Sequence, residues 1–294
     1  MIYVFYNPLS NNKKGGEVFY KVKSLLQEEK CNYECSAINI LEVKDIKATL
    51  TEPCQSDKIV ICGGDGTLHH FVNDIYNAFG GPQAIKAELL YYPAGSGNDF
   101  MHDVAGKNAK NLIPLRPYIT DLPAVTIKGK VYHFINGIGV GLDGWCCSEV
   151  ERIRSKKGDK PINYSPIALR GLLYAYKPVS ATVVTDGVSH RYSGVWIAPT
   201  MNGRYFGGGM KVAPEQYRLN KEHTVSFIAA HSITRLKAFP IFPEFLSGKY
   251  IRHKKYVDVI KAKEITVTFD EPVTLQIDGE AMSNVAGYHV KCAD

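Results

Sequence analysis

The sequence predicts an α/β domain followed by an antiparallel β domain. The chain has 294 residues, and a domain usually holds about 100–200, so the length fits two domains. Apolar strands alternate with amphipathic helices up to about residue 120, whereas short alternating segments joined by hairpin turns follow. We place the boundary after Leu122, which predicts domains of residues 1–122 and 123–294.

The first domain is predicted to contain a parallel sheet. Short apolar strands cover residues 2–6, 58–62 and 88–92, and apolar residues at helical spacing predict helices over 17–29 and 68–79. Alternation of strands and helices is typical of a parallel sheet covered on both faces. Ligands bind such sheets at the carboxyl ends of the strands, and each of the three strands runs there into a glycine-bearing loop.

The second domain is predicted to be antiparallel. From about residue 124, segments such as "AVTIKGKVYHFING" are separated by hairpin turns, among them Lys128-Gly129 and Asp186-Gly187. One helical insert, "INYSPIALRGLLYAYKP", interrupts them; its leucines could line an apolar pocket or pack in the core. The cluster "ERIRSKK" predicts a solvated helix face, with phosphate or anionic lipid binding as the alternative.

Composition limits the partners and the compartment. The net charge of +6 suits an anionic partner such as a nucleotide or an acidic membrane, and the cations are too dispersed to predict nucleic-acid binding. The seven cysteines follow no zinc pattern, and the amino terminus lacks a signal peptide, so we expect reduced thiols and a cytoplasmic protein. No apolar run approaches the roughly 18 residues of a membrane span, so any membrane contact would be peripheral.

The loop "GGDGT" follows the second predicted strand. Gly63, Gly64 and Gly66 remove side chains where the strand turns into a helix, so backbone N–H groups and the helix N-terminus can meet a phosphate. Asp65 has the wrong charge for phosphate and suits a metal ion or the attacking hydroxyl. Thr67 caps the helix or binds a phosphate oxygen. The alternative for the whole loop is a plain strand-to-helix turn.

The loop "PAGSGNDF" follows the third predicted strand. Gly95 and Gly97 clear the backbone, while Ser96 and Asn98 supply neutral hydrogen-bonding groups and Asp99 can cap the next helix. Two such loops at one sheet edge favour a nucleoside triphosphate, because its phosphates need more than one cradle.

The segment "LQIDGEAM" places two acids around a glycine near the end of the chain. Asp278 and Glu280 flank Gly279 after a β segment, so a tight turn could direct both carboxylates to one site. The alternative is a solvated hairpin turn.

Four motifs, "GGDGT", "PAGSGND", "NGRYFGGGMKVAP" and "IDGE", in this order resemble those of the bacterial diacylglycerol kinase-like lipid kinases. Sphingosine and ceramide kinases share this catalytic unit. "GGDGT" also occurs in NAD kinases and phosphofructokinases, but the four motifs together are specific and cover nearly the whole chain. The resemblance implies an NAD-kinase-like, Rossmann-like α/β domain, then an antiparallel β-sandwich domain, with the active site in the interdomain cleft.

The resemblance also implies roles for individual residues. Asn7, Ser10, residues 64–67 and Ser96 would bind ATP. The substrate would be a lipid whose hydroxyl attacks the γ-phosphate in line, and such transfer needs positioning and charge neutralisation more than covalent help.

Three acids would form the catalytic group that the resemblance implies. Glu280 would accept the proton, and Asp65 and Asp278 would complete an acidic cluster around Mg²⁺. Replacing Asp65 or Glu280 with alanine is expected to abolish turnover and leave the fold intact.

Two departures from the family pattern stand out. His70, preceded by His69, occupies the position of a Glu that helps the relatives hold the nucleotide; the alternative is that both histidines are ordinary helix residues. After "KVAP", relatives often carry an Asp-Asp-Gly run that binds a structural Mg²⁺, whereas this chain has Leu219, Asn220 and Lys221. We expect that metal site to be weak or absent.

The sequence therefore predicts an ATP- and Mg²⁺-dependent lipid kinase acting on a hydroxyl of a diacylglycerol-like lipid. A soluble-substrate kinase of the NAD kinase type and a non-catalytic nucleotide or lipid sensor are the alternatives. The lipid partner implies peripheral contact with a membrane, and a homodimer is left open. One set of apolar and basic residues could form a membrane-docking edge: Phe239, Ile241, Phe242, Phe245, Leu246, Lys249, Arg252, Lys254 and Lys255.

Overall fold

The computed structural model describes residues 1–10, 16–27, 34–157 and 162–293. They fall into two compact units, Met1–Leu122 and Pro123–Asp294.

The first unit is built on a five-stranded sheet in the order β2-β1-β3-β4-β5. The strands are β1 (Ile2–Tyr6), β2 (Cys35–Asn39), β3 (Lys58–Gly63), β4 (Glu88–Pro93) and β5 (Ile113–Pro114). The first four are parallel, and the pairing of Tyr6 with Cys62 and of Gly63 with Pro93 sets their carboxyl ends side by side. The predicted α/β class is confirmed. One short edge strand departs from the parallel arrangement, because β5 runs antiparallel to β4.

Helices connect the strands of this sheet. They are α1 (Glu17–Gln27), α2 (Ile46–Thr51), α3 (Asp65–Phe79), α4 (Asp99–Ala105) and α5 (Arg116–Ile119). In α1, Val18, Val22 and Leu26 are buried in the same core as Ile2 and Val4 of β1. The helix α3 begins three residues before its predicted start, because Asp65 and Gly66 of the glycine loop already belong to its first turn.

Strand β2 and helix α2 were absent from the sequence-based prediction. The strand is short, lies at the sheet edge and has no fully buried residue, so its sequence "CSAIN" lacks the apolar run that marks the central strands.

The second unit contains a ten-stranded antiparallel sheet whose main path is β13-β12-β11-β8-β14-β15-β6-β7, with β9 paired to β14 and β10 to β9. Its strands are β6 (Ala124–Ile127), β7 (Lys130–His133), β8 (Gly137–Val140), β9 (Val179–Thr185), β10 (Val188–Val195), β11 (Thr200–Met201), β12 (Val225–Ala230), β13 (Val257–Ala262), β14 (Glu264–Ile277) and β15 (Glu280–Lys291). Residues of β8, β9, β12 and β14 share one apolar core, which confirms the predicted antiparallel β-sandwich class.

Helices of the second unit cover a second apolar core. They are α6 (Leu142–Lys157), α7 (Tyr164–Arg170) with a π-helical turn at Gly171–Ala175, and α8 (Arg235–Ile241), which is followed by 3₁₀ turns at Phe242–Leu246 and Lys249–Arg252. The helical insert is confirmed. Only the charged end of α6 was considered helical from sequence, although buried Leu142, Cys146 and Val150 recur every four residues.

The structure also describes the cysteine thiols and the lengths of the apolar helices, about which the composition led to predictions. The six cysteines within the described residues are free thiols, and Cys31 lies outside them. Across the same residues, no helix has both the length and the apolar character needed to cross a membrane.

Candidate functional site

Three loops meet at the carboxyl edge of the first unit's sheet, as predicted. They follow β1, β3 and β4, which lie side by side in the sheet. The first loop is described to Ser10, and residues 11–15 lie outside the described part.

The two glycine loops touch each other through their backbones. A Cβ placed on Gly95 would lie 2.4 Å from the Cα of Gly64, and a Cβ on Gly64 would lie 2.9 Å from the Cα of Gly95. Contacts under 3.0 Å do not occur for real side chains, so the loops can pack this closely only because both residues are glycine. Besides baring the backbone for a phosphate, these glycines join one loop to the other.

Asp65 connects the same two loops by hydrogen bonds. Its two carboxylate oxygens accept the backbone N–H groups of Asp99 and Phe100, each at 2.9 Å. These are the first two residues of α4, whose own N-cap residue, Asn98, makes no capping bond with its side chain. Asp65 therefore caps α4 from a distant part of the chain, which satisfies two of the N–H groups that a helix start leaves without partners.

The remaining predicted nucleotide-binding residues stiffen this edge. Asn7 donates from Nδ2 to the Thr67 hydroxyl at 3.1 Å, and the Ser10 hydroxyl donates to the carbonyl of Asn7 at 2.7 Å. Asn98 closes its own loop through two hydrogen bonds to Gly95. Its Oδ1 accepts the N–H of Gly95 at 3.0 Å, and its Nδ2 donates to the carbonyl of Gly95 at 2.7 Å.

Two predicted residues are presented to solvent at the tip of the second loop. Ser96 and Gly97 are exposed, whereas Gly95 and Asn98 are half-buried and engaged with each other. The backbone and the Ser96 hydroxyl of this tip are thus accessible from solvent. Gly63 and Gly66 complete the predicted set; a Cβ on Gly63 would strike the Thr67 side chain at 2.4 Å.

Burial removes two other polar groups from consideration as reactive groups. The pKa of the Cys62 thiol is raised by desolvation, so the thiol stays protonated. Burial also raises the pKa of Tyr91 well above its ordinary value, and its hydroxyl donates to the Gly63 carbonyl at 2.9 Å.

In the second unit, the "IDGE" motif forms the turn between β14 and β15. Ile277 pairs with Glu280, and the two turn residues have positive φ, 49° at Asp278 and 100° at Gly279. Such a two-residue turn favours a glycine at its second position. The N–H of Gly279 donates to Gln276 Oε1 at 2.6 Å, and this bond ties the turn to the end of β14.

Asp278 and Glu280 have opposite surroundings. Asp278 is 7% exposed, and its carboxylate accepts the backbone N–H groups of Ile135, Asn136 and Gly137 at 2.7, 2.7 and 3.0 Å. Glu280, next but one, is exposed. Asp278 thus anchors the turn through these hydrogen bonds, whereas Glu280 faces solvent. The sequence contains no local signal for the three amides, which lie more than 140 residues away.

The two histidines after "GGDGT" are helix residues. Both lie in α3, where His69 is 4% exposed and its neighbour His70 is exposed. This matches the alternative that treats them as ordinary helix residues, one inside and one outside.

The charged cluster "ERIRSKK" and the helical insert lie in helical parts of the second unit, as does Asp143. Asp143 lies in the first turn of α6 and accepts from Gln276 Nε2 at 3.0 Å. Arg152, Arg154 and Lys156 are exposed on α6, and Arg152 pairs with Glu149; the side chain of Lys157 lies outside the described residues. In the helical insert the leucines divide between two environments: Leu172 is buried in the core, whereas Leu169 and Leu173 are about half exposed.

Neither unit, within its described residues, brings together three or more His, Cys, Asp or Glu side chains that could hold a metal ion. The predicted Mg²⁺ ligation by Asp65 and Asp278 therefore stays a prediction.

Two family models match the chain. The model described as "Diacylglycerol kinase catalytic domain" matches residues 1–116, and the model described as "YegS C-terminal NAD kinase beta sandwich-like domain" matches residues 136–292, more than half of the chain. The chain belongs to the bacterial diacylglycerol kinase-like family of lipid kinases. As a member of this family it is a kinase enzyme that uses a nucleotide as its phosphoryl donor.

Individual relatives of this lipid kinase agree with the family models. It is 24% identical over 299 residues to "Putative lipid kinase YtlR" of Bacillus subtilis, with 94% of this chain and 92% of that protein covered. It is 25% identical over 223 residues to "Diacylglycerol kinase" of Mycobacterium tuberculosis, with 72% and 67% covered. Among solved structures, "Crystal structure of a putative diacylglycerol kinase from Bacillus anthracis str. Sterne" aligns over the whole kinase and 92% of its own chain, with a TM-score of 0.68 and 17% identity, which shows a shared fold.

The contact between the glycine loops leads to a prediction. Replacing Gly95 with alanine should lower the free energy of unfolding by about 1–3 kcal/mol, because the new Cβ would overlap backbone that has little room to move. Thermal unfolding should show it as a lower Tm. Gly16→Ala is the matched control, since a Cβ there meets nothing within 4 Å. Equal Tm values for the two variants would contradict the proposed contact.

Proposed function

We propose that this kinase transfers the γ-phosphate of ATP, with Mg²⁺, to a hydroxyl of a diacylglycerol-like lipid. The observation that supports this most is the pairing of two glycine loops by Asp65 at the sheet edge of the first unit, because it prepares a rigid, bare backbone for phosphates. The names of the relatives support the lipid acceptor.

Each unit contributes a distinct part of the proposed chemistry. In the first unit, the exposed Ser96–Gly97 tip and the N-terminus of α3 bind phosphate oxygens, and Asn7 with Ser10 holds the neighbouring loop in place. In the second unit, Glu280 accepts the proton of the lipid hydroxyl as that oxygen attacks phosphorus. The hydrogen-bonded turn next to Glu280 fixes the backbone from which its side chain extends, and so limits where its carboxylate can lie.

Asp65 and Asp278 are the residues we propose as Mg²⁺ ligands. Their chemistry fits, since Mg²⁺ prefers hard oxygen donors and commonly takes one or two carboxylates together with substrate phosphates. Backbone N–H groups orient both carboxylates. When bound, the ion would neutralise phosphate charge during transfer.

The function is tested by incubating the purified protein with γ-labelled ATP, Mg²⁺ and mixed vesicles containing diacylglycerol, monoacylglycerol, a sphingoid base or ceramide. We expect labelled lipid phosphate from an acylglycerol. No label in any lipid would refute the proposal, and label in NAD supplied as a soluble acceptor would favour a kinase of the NAD kinase type.

We further propose that the kinase meets its lipid at an anionic membrane through a docking edge on α8 and the turns after it. Leu236, Phe239 and Leu246 of this edge are 89%, 50% and 61% exposed. Residues 235–255 hold six Lys and Arg residues against one Glu, which suits an anionic lipid surface. Ile241 and Phe245, which were predicted to share the edge, are buried instead and belong to the core.

Removing the apolar tip of the docking edge should weaken membrane binding. Burying a leucine side chain is worth about 1.5–3 kcal/mol, so Leu236→Ser should lower partitioning onto phosphatidylglycerol vesicles roughly tenfold or more. Co-sedimentation measures this, with phosphatidylcholine vesicles as the neutral comparison. The control is Leu41→Ser, because Leu41 is 57% exposed in the first unit. Equal loss in both variants, or binding indifferent to lipid charge, would contradict the docking edge.

A further inference from the structure

The loop of residues 214–224 is fastened by its own side chains. Asn220 Oδ1 accepts the backbone N–H of Thr224 at 2.8 Å and the Thr224 hydroxyl at 3.1 Å. Gln216, 3% exposed, donates to the Thr224 carbonyl at 2.8 Å and accepts from the Ser226 hydroxyl at 2.7 Å. These bonds close the loop at its base.

The loop does not fit the structural Mg²⁺ that the family resemblance implies. Leu219 has no oxygen in its side chain, Lys221 adds a positive charge, and Asn220 directs its oxygen at Thr224. Mg²⁺ prefers several carboxylate or water oxygens in octahedral geometry. Residues 219–221 supply no carboxylate, and the two carboxylates elsewhere in the loop, Glu215 and Glu222, belong to no metal-holding cluster among the described residues.

A cation of the chain itself extends from this loop. The guanidinium of Arg218 donates to the carbonyl of Ile135 and, at 2.6 Å, to Oδ1 of Asn136. Ile135 and Asn136 are 1% and 3% exposed, so both acceptors belong to buried residues. The planar fork of arginine suits two acceptors held at a fixed spacing.

The segment that Arg218 grips is the one that holds Asp278. Residues 135–137 donate three backbone N–H groups to the Asp278 carboxylate, and the Asp278 N–H returns a bond to the Gly137 carbonyl at 3.0 Å. On the opposite side of this segment, Arg218 shares the Ile135 carbonyl with Asn202, whose Nδ2 donates to it at 3.1 Å, and Arg218 also donates to the Asn136 side chain. A continuous series of hydrogen bonds thus runs from Arg218 to the turn that presents Glu280.

We infer that Arg218 is a positioning residue that holds the Glu280 turn in place through residues 135–137, in a loop that needs no metal ion. The guanidinium supplies fixed positive charge and two directed donors without any dependence on Mg²⁺ concentration. The kinetic consequence rests on the proposed kinase function, whereas the structural consequence rests on the hydrogen bonds alone.

The test compares the full-length wild type with Arg218→Ala, Arg218→Lys and the control Lys221→Ala, whose exposed side chain lies three residues along the same loop. Amide hydrogen exchange over residues 135–137 should be at least about tenfold faster in Arg218→Ala, because opening of that segment becomes easier. The kcat for lipid phosphorylation should fall roughly 10–100-fold with the KM for ATP nearly unchanged, since misplacing a catalytic group by about 1 Å can cost about 100-fold in rate. Lysine should recover only part of both losses, because it lacks the fork.

Chelation provides an independent measurement. Treating the wild type with excess EDTA should leave its Tm unchanged, and adding Mg²⁺ back should not raise it when nucleotide is absent. A Tm that falls on chelation and returns with Mg²⁺ would overturn the metal-free loop. If amide hydrogen exchange over residues 135–137 were unchanged in Arg218→Ala, the positioning role would be overturned. The same holds if Lys221→Ala lost as much kcat as Arg218→Ala. If Arg218→Ala fails to fold, Arg218→Lys must still exchange faster than the wild type. A wild type without lipid kinase activity would refute the proposed function and leave the exchange and chelation results to decide this inference.

Discussion

Glu280→Gln should lower kcat for lipid phosphorylation about 10²–10⁴-fold while leaving the Tm within about 1 °C of the wild type. The amide keeps the size of the side chain but cannot accept the proton of the lipid hydroxyl. Glu280 is exposed, and the turn beside it is held by hydrogen bonds of Asp278 and Gln276, which the substitution leaves in place. Steady-state kinetics with labelled ATP and thermal unfolding give the two values.

The matched control for this variant is Glu271→Gln. Glu271 is also exposed and lies on β14, the strand that leads into the same turn. It should retain the wild-type rate. A Glu280→Gln enzyme that keeps more than about a tenth of its activity would remove Glu280 from the role of general base.

Asp65→Ala should abolish turnover and also destabilise the protein by about 2–4 kcal/mol. The substitution removes the acceptors for the N–H groups of Asp99 and Phe100, both of which are buried residues. These contacts revise the expectation that an alanine here leaves the fold intact. The measurement is a denaturant titration beside the activity assay.

Two further variants separate stability from catalysis at this position. Asp65→Asn keeps one carbonyl acceptor, so it should recover about half of the lost stability but little activity. Asp45→Ala is the control for losing a helix cap, because Asp45 caps the short helix α2 through one bond, to the N–H of Ala48 at 3.0 Å, and is exposed. It should cost about 0.5–1 kcal/mol and leave the rate unchanged. An Asp65→Ala protein as stable as the wild type would contradict the capping role.

The first unit shows how far local pattern predicts structure. The strands β1, β3 and β4 were predicted to within one residue, because central strands of a parallel sheet are buried on both faces and their sequences are continuously apolar. The edge strand β2 has neither property, and β5 is only two residues long. The antiparallel direction of β5 depends on the path by which the chain returns to the sheet. Sequence periodicity contains no information about that return.

The candidate site divides in the same way. The motifs identified the loops and the acids, since bare backbone beside a carboxylate is a local chemical pattern. They did not reveal that Asp65 caps a helix 34 residues away or that Asp278 holds three amides more than 140 residues earlier. Nor did they separate the exposed Phe239 from the buried Phe245 on the docking edge.

By itself, the sequence determined the two-domain class, the family and the order of the glycine and acidic motifs. These follow from residue type and spacing over short stretches of chain. The tertiary structure decided which partner each motif holds: Gly64 against Gly95, Asp65 on α4, and Arg218 and Asp278 on opposite sides of residues 135–137. Such contacts join residues far apart in the chain, and only folding brings a donor within about 3 Å of its acceptor.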